Sequence, residues 1–105
     1  MFGRHDLREL AEYRSDHMVL SIYLNTDPTQ RTTDEYKLAL RQLLKEVEDR
    51  ADSEDIKAVE RFIDLEYDWK GRGIAVFSCA EDGFWRQYSL AVPFQSRASV
   101  SPQPF

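Results

Sequence analysis

The sequence predicts an α+β fold, a two-layer sandwich in which a helical hairpin packs on a mostly antiparallel sheet. Three observations predict it. A short apolar run, Val19 to Leu24, precedes two stretches whose apolar residues recur at helical spacing. The link between those stretches, "DRADS", is short enough to turn one helix back along the other. Near the end, "GIAVFSC" and "FWRQYSLAV" flank the turn "AEDG", the pattern of a β-hairpin. The predicted order is α-β-α-α-β-β, within one domain over residues 1–105.

The first element is a short helix, "LRELAEYR", which Asp6 can cap; Leu7, Leu10 and Ala11 share its apolar face. "VLSIYL" follows as a buried strand. Leu20, Ile22 and Leu24 make its more uniformly apolar side and should meet the core, with Val19, Ser21 and Tyr23 opposite. Pro28 has no N–H for a ladder, and "NTDP" initiates a turn, so the strand ends there. Thr32 lies three residues before Glu35, a capping-box spacing that starts a helix at about Thr33. Its buried stripe is Tyr36, Leu40, Leu43, Leu44 and Val47.

A second helix starts near Ser53, with Ile56, Val59, Phe62, Ile63 and Tyr67 inward. "KGRG" should close it, Gly71 taking the left-handed C-cap and Lys70 standing beside the negative helix end. A crossover through two helices can return the "GIAVFSC" strand parallel or antiparallel to the first. In the last predicted strand Phe84, Arg86, Tyr88, Leu90 and Val92 alternate with Trp85, Gln87, Ser89 and Ala91, and Pro93 ends it. Residues 95–105, "QSRASVSPQPF", read as a tail or a cut linker. Leu20, Ile22, Leu24, Leu40, Leu44, Val47, Val59, Ile63, Ile74 and Val76 are expected to share one buried cluster.

Composition narrows the function. The net charge of −5 argues against a free-standing nucleic-acid binder, which needs a basic face. The single cysteine, Cys79, allows no internal disulfide and suits a cytoplasmic setting. No apolar run approaches the ~20 residues of a membrane span, and "MFGRHDLREL" lacks the apolar centre of a signal peptide. No catalytic constellation emerges, so no enzyme activity, cofactor or small-molecule substrate is expected. His5 and His17 have no metal-like spacing to Cys79, so no metal site is expected either.

Two polar features remain. Asp34 to Asp68 hold 12 acidic and six basic side chains, a net of −6, whereas the rest of the chain has seven and eight, a net of +1. The hairpin tip, "EVEDRADSED", is the most acidic point and suits either solvent or a basic protein surface. The loop after the first strand supplies Asn25, Thr26, Gln30 and Arg31 as donors, either in a plain connection or in a contact lip for RNA or protein. Trp85, Arg86 and Tyr88 could stack bases if exposed, or fill a core.

The run "VLSIYLNTDP", "KLALRQLLKEVEDRA", a second helix, "GRGIAVFSC" and "WRQYSLAVPF" resembles the N-terminal domain of the archaeo-eukaryotic class I peptide chain release factors, and especially their bacterial release-factor-like branch. In that family a strand of the "SLYIP" type leads into paired helices, then a "GLVIF"-type strand and a strand ending in a Pro-Phe or Pro-Pro step. Here these are Ser21–Leu24, Gly73–Phe77 and Val92–Phe94, and the resemblance spans about residues 19–94. It implies a recognition role in translation, at the ribosome or its RNA, through a parent protein. Stop-codon readers carry Asn-Ile-Lys-Ser near the junction of the two helices. This chain has Asp55, Ile56, Lys57 and Ala58 there, among acidic neighbours that repel an RNA backbone. The resemblance therefore implies a recognition module without stop-codon reading. The rival expectation is an acidic protein-interaction or oligomerisation domain with no nucleic-acid role.

Overall fold

A computed structural model describes residues 8–10, 12–13, 17–92 and 95–103. Strand β1 (Val19–Asn25) leads through the polar loop into helix α1 (Thr33–Val47), a short tip and helix α2 (Ser53–Arg61). A π-helical turn, Phe62–Glu66, extends α2. Strand β2 (Gly73–Cys79), a 3-10 turn, strand β3 (Phe84–Leu90) and strand β4 (Arg97–Ser101) follow. The strands form one antiparallel sheet in the order β3-β2-β1-β4. The α+β sandwich is as expected, and the open question of β2 is resolved as antiparallel.

Residues 8–10 are helical; Asp6, Leu7 and Ala11 lie outside the described residues, as do Pro93 and Phe94. Residues 97–101, read from sequence as part of a tail, instead form β4. They pair with β1 from Val19↔Ser101 to Tyr23↔Arg97. Alternation puts Ala98 and Val100 against the core.

Thr32 caps α1 with the full capping box: its hydroxyl accepts from Glu35 N–H, and the Glu35 carboxylate accepts from Thr32 N–H at 3.1 Å. α1 then presents Tyr36, Leu40, Leu44 and Val47 to the sheet. All ten residues expected in the core share one cluster, joined by Phe62. Burying each large aliphatic side chain contributes roughly 1.5–3 kcal/mol. Lys37 and Arg41, early in α1, lie 3.8 Å from Asp64, just past α2, as an antiparallel hairpin requires.

The end of α2 differs from expectation. Gly71 does not take the left-handed conformation; that falls on Trp69, at φ 61°. The helix widens into the π-helical turn, where Tyr67 N–H donates to the Phe62 carbonyl at 2.9 Å. Gly71 sits instead at a close approach to β3. A Cβ there would stand 3.2 Å from the Leu90 carbonyl oxygen.

The sheet face away from the hairpin has its own apolar cluster, with Val19, Ala75, Phe77, Cys79, Phe84 and Tyr88. Leu10 belongs to it, and Tyr13 stacks on Phe84 with ring centroids 3.9 Å apart. Glu9 pairs with Arg86 at 2.8 Å. The segment before β1 thus covers part of the far face.

Candidate functional site

The two ends of the sheet carry the polar chemistry. At one end, the loop from Asn25 to Arg31 folds around Asp27. Thr29 donates twice to Asp27 Oδ1, from its N–H at 2.9 Å and its hydroxyl at 2.7 Å. Asp27 N–H donates to Asn25 Oδ1 at 2.9 Å, and Asn25 Nδ2 donates to Gln30 Oε1 at 3.1 Å. Tyr36 reaches up from α1 and donates to the Asp27 carbonyl at 2.7 Å. Thr26 is buried, 3.1 Å from the Tyr67 hydroxyl and within reach of the Gly71 carbonyl. Asn25, Thr26 and Gln30, the donors proposed for a contact lip, therefore bond within the molecule, and Arg31 is exposed. The bonds from Thr29 hold the Asp27 carboxyl below the usual carboxylate range, against the opposing pull of burial.

At the other end, Asp52 caps α2 by accepting from Glu54 N–H at 2.9 Å. One turn along, Asp55 turns inward and is only 2 % exposed. Its Oδ1 accepts from the Ser78 hydroxyl at 2.6 Å and from Ala80 N–H at 2.8 Å, tying the start of α2 to the end of β2. Burial pushes its pKa up; the bonds from Ser78 and Ala80 oppose that, and the Asp52 and Glu81 charges add to it. His17, Met18, Arg50, Asp52 and Glu81 join Asp55 around a cleft of about 420 Å³. His17 Nδ1 contacts Glu81 there. Cys79 is 1 % exposed, the situation of an inert thiol. Among the described residues no group of three or more His, Cys, Asp or Glu could hold a metal ion; His5 lies outside them.

The four residues in the codon-reading position separate. Asp55 is buried, Ile56 and Ala58 are half-buried, and Lys57 alone is exposed. Sequence reasoning missed the Asp55 tie to the sheet. Its signal was present: Asp55 stands four residues before Val59, on the inward stripe of α2. Trp85, Arg86 and Tyr88 do not form one stacking surface. Strand alternation sends Trp85 to the hairpin side, against Phe62, and Arg86 and Tyr88 to the far face. No helix among the described residues is long and apolar enough to cross a membrane.

What these features define is an α+β domain with a self-bonded polar loop at one end and an acidic cleft at the other. No family model matches the chain, and no curated protein matches it.

Proposed function

We propose that this chain is a non-catalytic recognition module of a release-factor-like protein, acting in the cytoplasm at the ribosome without reading stop codons. The observation that carries the reading is the order of elements. β1 enters a helical hairpin, which returns to β2 and β3 on the same sheet, as the resemblance to release-factor N-terminal domains implies. The second half of the reading rests on the α2 start. A codon-reading loop needs its side chains displayed, and here Asp55 is withdrawn into a bond with Ser78.

Cosedimentation of the chain with ribosomes tests both halves. Association should appear at low salt, weaken as salt screens the contact, and be the same for stop and sense codons. No association at low salt would remove the ribosomal reading. A crosslink from Lys57 to a stop codon, absent with a sense codon, would remove the claim that stop codons are not read.

A second reading, an acidic protein-interaction domain with no nucleic-acid role, is favoured by one observation. Glu46, Glu48, Asp49 and Glu54 are all exposed around the hairpin tip. It predicts capture of basic proteins that survives nuclease treatment.

A further inference from the structure

The two helices do not cover all four strands. α1 lies over β4 and β1 and α2 over β2, so the hairpin-facing side of β3 keeps Gln87 and Ser89 exposed and Trp85 half-buried. A cleft of about 190 Å³ opens there, floored by Phe62 and Ile74 and walled by Tyr67, Gln87 and Ser89. Glu66 and Asp68 stand on its rim. Both carboxylates are exposed, and neither is in an ion pair among the described residues.

The aromatic rings around this cleft form a chain. Phe62 meets Tyr67 at 5.8 Å and Trp85 at 5.7 Å between ring centroids, and Tyr67 meets Trp69 at 5.0 Å. The backbone that places them is costly. Trp69 has the only positive φ of a non-glycine residue among those described, and Phe62–Glu66 is a π-helical turn. Aromatic faces attract cations, and Arg or Lys seats there best when carboxylates stand nearby.

We propose that this cleft receives an arginine or lysine side chain from an extended basic segment of a protein partner. Charge selects the partner: Glu66 and Asp68 on the rim attract a cationic side chain and repel a phosphate backbone. Geometry selects the extended form, because β3 is an outer strand of the sheet and supplies Gln87 and Ser89 to the cleft. This site is independent of the ribosomal reading and stands on the opposite end of the domain from the Asp55 cleft.

The chain's two tryptophans both belong to the aromatic chain, so its intrinsic fluorescence reports on this region. The experiment titrates the protein with a hexa-arginine peptide, a hexa-glutamate peptide and a single-stranded RNA oligonucleotide, following tryptophan emission. Hexa-arginine should shift the emission saturably, and the other two should not. The variant Glu66→Gln/Asp68→Asn keeps every ring. Its new amide oxygen can still accept the Lys70 N–H, which Asp68 Oδ1 accepts at 3.1 Å. It should bind hexa-arginine at least about threefold more weakly. Trp69→Gly, which suits a positive φ, should weaken binding as well. Equal affinity in both variants, a response to RNA alone, or no response to hexa-arginine would overturn the assignment. Ribosome association lost while hexa-arginine binding persists would count against the proposed function and leave this site standing.

Discussion

Asp27 and Asp55 are both buried, at opposite ends of the same sheet, and their surroundings push them in opposite directions. Asp27 is 4 % exposed and Asp55 is 2 % exposed. Asp27 gathers two bonds from Thr29 on one oxygen and the Gln30 amide, at 3.4 Å, on the other. These donors come from its own loop, two and three residues on, and favour the charged form. Asp55 also receives two bonds, but from β2 and the turn after it, and Asp52 and Glu81 raise its pKa further. Burial therefore wins at Asp55 and loses at Asp27. One aspartate organises a loop locally, whereas the other joins two layers of the fold.

The largest effect tests whether the two ends share one cooperative core. Leu44 is 3 % exposed in the cluster beneath both. Leu44→Ala should cost about 2–5 kcal/mol, the sum of lost burial and the cavity left behind. Hydrogen exchange should then quicken together at Thr29 and Ala80. Quickening at one end only would show that the two aspartates belong to separate units.

A smaller loss separates the two ends. Asp55→Ala leaves the buried Ser78 hydroxyl without its acceptor and should cost about 1–3 kcal/mol. Asp27→Ala should cost less, because Thr29 and Gln30 are exposed and can turn to water. Urea unfolding of both variants checks the order. The reverse order would mean that the loop, rather than the tie between layers, holds the fold together.

The difference between the aspartates also explains what could be read from sequence. The capping box at Thr32 and Glu35 spans three residues, so its spacing alone reveals it. The core was legible because each helix stripe repeats every three or four residues, and the strands alternate. The Asp55–Ser78 bond joins residues 23 apart and depends on how α2 sits on β2. No local pattern records that, although an acid on the inward stripe marks the place. β4 was missed because "RASVS" is a weak strand pattern and pairs with β1 far back in the chain. The number of donors in the loop is legible from residue types alone. That they bond to one another depends on the turn at Pro28 and on Tyr36 rising from α1, which spacing does not show.

The smallest effect is the sharpest, because it predicts two signs. The bonds from Thr29 lower the Asp27 pKa. Its contribution is present above the ordinary aspartate value, about 3.9, and is lost as pH falls through the lower folded value. Burial raises the Asp55 pKa. Its contribution is complete below that ordinary value and is lost as pH rises through the higher folded value. Asp27→Asn should therefore flatten the loss of stability on acidification, and Asp55→Asn should flatten a decline on the alkaline side of about pH 4. Asparagine at either position can still accept the bonds that reach Oδ1, so the variants change charge more than shape. Urea midpoints from about pH 2 to about pH 7, with wild type minus variant taken at each pH, isolate the two contributions. Difference curves sloping the same way would mean that Asp55 stays charged in the fold like Asp27, and that its burial is outweighed by Ser78 and Ala80.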